Sequence, residues 1–473
     1  MVEHVVETPQ LTPAERAERG KAVRGELPRS AHATWEPGPE RRDPLDLLQE
    51  QAETRLPELA PIRYGRMLAS PFSFFRGSAY VMAADLADGL RTGLHTQLCG
   101  DAHLANFGVW AAPDRRLVFG INDFDETLPG PFEWDVKRLA ASVAIAGRDR
   151  GFKKAVRRSI VMTTTREYRA MMARFAEMRN IDVWYTRLDV AKIVDQIVTA
   201  PSNKQMKRFQ ETVAKVHTKD SMRALCKLTR TIDGEIRIVG DPPLVTPIEE
   251  ALPDVEQDHL EDVMRRMIRA YQCTLPGDRR RLIESYRYAH AAHKIVGVGS
   301  VGARAWILLM IGRDNNDPLF LQLKEAQASV LEPFLGRSQY AQHGQRVVEG
   351  QRMMQSAPDI LLGWERSPIG SPIDGRQRDF YIRQLWDAKG SAEVELMDPS
   401  TLEAYGRVCG WALAKAHARS GDRVAIAAYL GKSDVFDRAM ASFSETYAEQ
   451  NDRDYRALQE AAAAGRVAAE MGV

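Results

Sequence analysis

Apolar and polar positions follow several different rhythms along the chain. From residue 43 apolar side chains recur at helical spacing, broken at Pro71-Phe-Ser-Phe-Phe-Arg76 before a further helix over residues 79–90. Residues 94–122 change texture: a short apolar strand, a polar loop, then a second strand at 117–121. From about 135 to 292 the pattern is mostly helical. It is interrupted near 231–247, where Asp233-Gly234 predicts a hairpin and Pro242-Pro243 a turn. Strand-like runs at 294–312 and 318–324 flank a strong turn signal at 313–318. A helix over 340–355, strands at 360–364 and 380–386, and helices over 401–419 and 456–470 complete the pattern.

These elements predict an α+β protein with a small sheet-bearing unit between two helical stretches. The expected division is a helical unit over 43–292, a sheet unit over 293–390 and closing helices over 391–473 that rejoin the first. Residues 1–42, rich in Glu, Arg, Pro and Thr with few large apolar side chains, predict a loosely ordered arm.

Composition narrows the class. The 473 residues are 44% hydrophobic and 27% charged, an ordinary globular balance. Lys plus Arg number 65 against 64 Asp plus Glu, so no electrostatic bias points to nucleic acid or an anionic membrane. Cys99, Cys226, Cys273 and Cys409 are scattered and form no C-x-x-C pair, which argues against a structural zinc site or a disulfide framework. With no apolar leader or membrane-length apolar run, the expectation is a cytoplasmic protein.

The chemistry concentrates at two places. In Leu98-Cys-Gly-Asp-Ala-His-Leu-Ala-Asn-Phe-Gly108, Asp101 and Asn106 stand five apart, and Asp123 and Asp125 follow one short hairpin later. Phosphoryl transfer from a nucleotide needs a carboxylate that positions the attacking hydroxyl and oxygen ligands that hold Mg²⁺ on the phosphates. Asp101 fits the first role, Asn106 and Asp123 the second, with Asp125 as a further ligand. Each Asp taken singly also fits an ordinary turn; the clustering carries the functional reading. His103 is equally suited to a metal or phosphate contact and to bracing the loop.

The second place is Lys294-Ile-Val-Gly-Val-Gly-Ser-Val-Gly302, a G-x-G-x-x-G pattern at Gly297, Gly299 and Gly302. A dinucleotide fold requires a helix after such glycines; here strands follow, the second ending in Lys324. The glycines and Ser300 would let backbone N–H groups approach phosphates, with Lys324 contacting them from the third strand. A simple hairpin with structural glycines is the alternative.

Gly100-Asp-x-His-x-x-Asn106 with Asn122-Asp-Phe-Asp125 resembles the catalytic and metal loops of the aminoglycoside and choline kinase branch of the protein-kinase-like superfamily. Trp134-Asp-Val-Lys-Arg-Leu139 stands where that branch has a structural aspartate, so Asp135 is expected to cap its helix and brace the loop. The resemblance implies a two-lobed, kinase-like fold using ATP and Mg²⁺, with Glu349 on the 340–355 helix as the carboxylate partner of Lys324. Glu325 and Glu332 are less well placed for that role. The strand at 380–386 would lead into a hinge whose backbone, at Gln384 and Leu385, pairs with adenine. The glycine loop follows the catalytic loop here, so the order is circularly permuted, and the helix carrying His417 would lead into the catalytic strand. The short connection from Asp123 to Asp135 favours a small-molecule acceptor over a protein.

From residue 43 on, the chain also resembles the bacterial family known as domain of unknown function 2252. The matching stretches are 71–77, 100–108, 122–126, 296–302 and 384–389. That family name implies no reaction. Arg76, in the first stretch, suits either an acidic substrate group or a salt bridge between helices. Three rival functions stay open: a metal-dependent phosphoesterase built on Asp101 and His103, a nucleotide-binding regulator without turnover, and transfer of AMP in place of phosphate.

Overall fold

The computed structural model describes residues 11–196, 221–232, 234–295, 301–370, 375–385 and 389–472. It is a mixed α+β architecture in which every sheet is antiparallel. The largest sheet has six strands. In spatial order they are Gly363–Arg366, Asp379–Gln384, Pro318–Ala326, Ala305–Ile311, Arg287–Lys294 and Val245–Pro247.

Strand alternation sorts the faces of this sheet. In the Pro318–Ala326 strand, Leu319, Leu321 and Leu323 join Phe380 and Ile382 against Leu260, Met264 and Met267 of the helix Gln257–Cys273. The intervening Gln322 and Lys324 point the other way, and their partners across the ladder are Arg383 and Tyr381. A one-residue slip would exchange these two sets, so the leucine pattern itself fixes which way Lys324 points.

The helical unit is assembled from both ends of the chain. Phe132–Asp149 and Lys154–Glu177 pack against Pro399–Ser420 and Val435–Ala463. A second sheet lies beside them. The hairpin Phe107–Ala111 with Leu117–Ile121 is flanked by Leu188–Asp189 on one edge and by Gly390–Ser391 on the other. The last pairing ties the exit from the six-stranded sheet to the hairpin that carries Asn106 and Asp123. The expected hairpin at 231–247 forms between Thr229–Ile232 and Glu235–Ile238. Among the described residues no helix is long and apolar enough to cross a membrane.

Two expectations about organisation need correction. Residues 11–42 are not a loose arm. Thr12 and Glu15 form a capping box at the start of Pro13–Glu26, and this helix packs on Arg423–Leu430. Arg16 reaches Asp422 at 2.8 Å, and Arg41 bridges the buried Asp85 and Asp454 at 2.6 Å each. Caps and buried ion pairs hold this segment, and composition alone registers them only as polarity. The sheet unit also starts well before 293. Strands Val245–Pro247 and Arg287–Lys294 belong to its sheet, and Gln257–Cys273 covers its apolar face. Arg-Tyr-Ala-His-Ala-Ala-His-Lys294 lacks β-branched residues, so its local preference misleads; the ladder to Ala305–Ile311 overrides it.

Candidate functional site

The first acidic loop, residues 98–108, is held by Asp135. Its carboxylate accepts the N–H groups of Cys99 at 2.8 Å and Gly100 at 3.1 Å, and His417 Nε2 lies 3.3 Å away. His417 is fixed in turn through Nδ1 by the Tyr168 hydroxyl at 2.9 Å. Asp135 thus braces the loop as expected. It does not cap the helix, which starts at Phe132 with Pro131 before it. Gly100 takes φ +82°, and a Cβ there would collide with the carbonyl of Glu126, so only glycine lets the two acidic loops close on each other.

Asp101 Oδ1 accepts from Arg138 Nε at 2.8 Å, and Oδ2 faces His103 Nε2 at 3.5 Å. Arg138 is itself anchored by the Phe75 carbonyl at 2.6 Å and lies over the Phe75 ring. Burial lifts the Asp101 carboxyl to about 6 against the pull of Arg138. His103 is driven well below the usual imidazole range by burial, with Arg138 and Arg76 adding to the effect. It is therefore neutral, and its buried Nδ1 finds no hydrogen-bond partner.

Asn106 donates its amide N–H to the Asp101 carbonyl at 2.7 Å. Its backbone carbonyl accepts from Asn122 N–H at 3.0 Å, which extends the hairpin ladder and sets Asn106 beside the 122–125 loop. Asp123 accepts the Asp125 N–H at 3.3 Å. The second acidic loop is stapled to the sheet unit by the buried Arg346, which donates to the carbonyls of Thr127, Asp125 and Gln327 at 2.7–2.8 Å.

Lys324 forms an ion pair with Asp125, and the Tyr381 hydroxyl donates to the other Asp125 oxygen at 2.8 Å. Burial opposes the charge on Lys324, but Asp123 and Asp125 outweigh it and raise the amine above its ordinary value. The same cations and hydrogen bonds overcome burial at Asp125 and hold its carboxyl below the usual range. Lys324, Asp101, Asn106, Asp123 and Asp125 all line one cleft of about 430 Å³, together with Arg383 and Lys389. That volume suits a small-molecule ligand.

A profile for uncharacterised proteins conserved in bacteria, domain of unknown function 2252, matches residues 55–461. The chain belongs to this family. No curated protein matches it, and no solved structure does. Every residue of the cleft named above lies within the span that the family covers, whereas Pro13–Glu26 lies outside it.

Several expected roles are not met by this member of the family. Glu349 pairs with Arg352 at 3.0 Å, not with Lys324. The residue that its helix sends to the loops is Arg346, three positions earlier and almost fully buried. Glu325 is taken by Arg304 and Arg378 on the sheet face opposite Lys324, and Glu332 sits beside His343 and Arg346. Gln384 and Leu385 do reach the cleft, but their N–H groups are committed to Asp359 at 2.5 Å and to the Phe320 carbonyl at 2.9 Å, so neither can donate to adenine. Gly297, Gly299 and Ser300 fall outside the described residues. Gly302 is described: it takes φ +90°, and its carbonyl accepts from Leu56 N–H at 2.8 Å.

Sequence reasoning passed over Arg138, Tyr381, Arg383 and Lys389. Tyr381 and Arg383 were legible in principle, since both alternate on the 380–386 strand with apolar Phe380 and Ile382. Lys389 is brought in by the Gly390 pairing. Burial, with Arg383 next to it, lowers its amine to about 7.

Proposed function

We propose that the cleft is the site of an ATP- and Mg²⁺-dependent, kinase-like phosphotransferase acting on a small molecule. The observation that carries this reading is the shared cleft: Lys324, on the second strand after the glycine segment, meets the loop of Asp123 and Asp125, with Asp101 and Asn106 lining the same cleft. Antiparallel strands on both sides of a glycine-bearing segment, with the lysine on the next strand, are the arrangement that the kinase resemblance implies. The catalytic loop precedes this unit in the chain, which accords with circular permutation.

The donor set fits magnesium in one particular way. Among the described residues no group of three or more His, Cys, Asp or Glu is arranged to hold a metal alone, and both oxygens of Asp125 are engaged. Asp123 and the side-chain amide oxygen of Asn106 would hold the ion, with phosphate oxygens and water supplying its remaining ligands. The ion would neutralise charge on the transferred phosphoryl group. The donor set favours this reading over a two-metal phosphoesterase, which needs a richer set of carboxylates and histidines.

Lys324 and Arg383 bind and orient the phosphates. Asp101, held by Arg138, aligns the acceptor hydroxyl and takes its proton as the acceptor oxygen bonds to the γ-phosphorus and the bond to the bridging oxygen breaks, leaving ADP. Four free cysteines agree with a reducing, cytoplasmic setting. A thermal-melt titration with Mg·ATP tests the reading: saturation at 100 times Kd stabilises the fold by about 2.7 kcal/mol, and an unchanged melt at millimolar Mg·ATP would remove it. Single-turnover analysis of the labelled product separates phosphate transfer from AMP transfer.

A further inference from the structure

The cleft is also lined by Arg66, on the helix Ala60–Met67, and by Arg76, on Pro71–Gly77. Arg76 lies close enough to His103 for its charge to act on that ring, and His103 lies 3.5 Å from Asp101. Arg76 and Asp101 line the same cleft. Its ion pair, with the half-exposed Glu395, is stretched to 3.9 Å, and its buried Nε has no hydrogen-bond partner. The buried Nδ1 of His103 is in the same position. A buried guanidinium N–H without an acceptor costs free energy that an arriving carboxylate or phosphate would recover.

The acidic groups of the cleft argue the same way. Asp101 is paired with Arg138, Asp125 with Lys324 and Tyr381, and Glu126 accepts the Val330 N–H at 2.8 Å. Asp123 is assigned to magnesium. A cationic acceptor would find Asp101 and Asp125 already countered by Arg138 and Lys324.

We propose that the acceptor is a small hydroxylated anion, whose carboxylate or phosphate monoester docks on Arg76 while its hydroxyl lies against Asp101. This rests on the phosphotransferase reading. The acceptor oxygen forms the new P–O bond, the γ-phosphorus parts from the β–γ bridging oxygen, ADP leaves with that electron pair, and the hydroxyl proton passes to Asp101.

The test uses the full chain with γ-labelled Mg·ATP and a bacterial metabolite extract split on an anion-exchange column. Label is expected in products from the retained, anionic fraction. Pretreating that fraction with alkaline phosphatase distinguishes the two sources: lost acceptor activity identifies a phosphate monoester, and surviving activity a carboxylate. Arg76→Ala should raise the half-saturating amount of the active fraction about tenfold more than it raises the KM for ATP, the loss expected for one charge-assisted hydrogen bond. Arg76→Lys, which keeps the charge but not the fork, should fall between. Label moving mainly into unretained compounds or into neither fraction while calorimetry shows Mg·ATP bound, or an unaltered acceptor dependence in both Arg76 variants, would overturn the anionic acceptor alone. Absence of Mg·ATP binding would instead overturn the phosphotransferase reading beneath it.

Discussion

Lys324 and Asp125, 199 residues apart in the chain, form a buried ion pair that joins the six-stranded sheet to the second acidic loop. Tyr381 completes it from the neighbouring strand. Removing one partner of a buried pair strands the other charge, which costs far more than a surface bridge is worth. Lys324→Met should therefore lower the unfolding free energy by roughly 3 kcal/mol, the low end for such pairs because Asp125 keeps a quarter of its side chain exposed. Urea denaturation measures this, and an unshifted midpoint would mean that the pair contributes nothing to joining the two units.

Asp101 and Asp123 should separate in their effects. Asp101→Asn removes the proposed proton acceptor but keeps the shape of the loop and an acceptor for Arg138. Turnover should fall by a factor on the order of 100 or more, while Mg·ATP still raises the melting temperature. Asp123→Asn should weaken the magnesium dependence of that rise. Wild-type turnover in the Asp101 variant would take this residue out of the mechanism.

Gly350 lies where the helix His343–Met354 crosses the loop at Thr127, and a Cβ at this position would collide with the Thr127 side chain. Thr127 in turn donates to the Leu98 carbonyl at 2.6 Å. Gly350→Ala should cost about 1–3 kcal/mol of overpacking, more than the roughly 1 kcal/mol that alanine adds to helix propensity. Chemical denaturation with a Mg·ATP titration reads both consequences; a variant more stable than wild type would show that the crossing is looser than drawn.

Arg41 offers a test of the N-terminal segment. It bridges Asp85 and Asp454, and its loss leaves two buried carboxylates facing each other. Arg41→Ala is expected to destabilise the protein by about 3–5 kcal/mol. A fall below about 0.5 kcal/mol would restore the picture of a loose arm.

Glu365 supplies a pH signature remote from the cleft. It sits on the Gly363–Arg366 strand, and burial pushes its carboxyl up to about 8. The folded state holds this proton more tightly than the unfolded chain, so the stability it contributes is fully present below about pH 4.5 and is lost as pH rises through about 8. Glu365→Gln should flatten the decline of stability between about pH 4.5 and 8, measured by urea unfolding at successive pH values. An identical pH slope in both proteins would contradict it.

The sequence by itself determined the two acidic loops, the strand carrying Lys324 and the membership of one extended family. Each of these is written locally: Asp101 and Asn106 share one loop, Asp123 and Asp125 share another, and alternation along Pro318–Ala326 sends Lys324 to the face opposite its leucines. Tertiary structure alone decided the partners. Asp125, not Glu349, meets Lys324, because Arg346 occupies the helix position that faces the loops. The N–H groups of Gln384 and Leu385 are consumed by Asp359 and Phe320, and the polar N-terminal segment is ordered by Asp85, Asp422 and Asp454. A chain pattern records which side chains share a face; which distant group answers a buried charge depends on contacts that only the completed packing brings within hydrogen-bond reach.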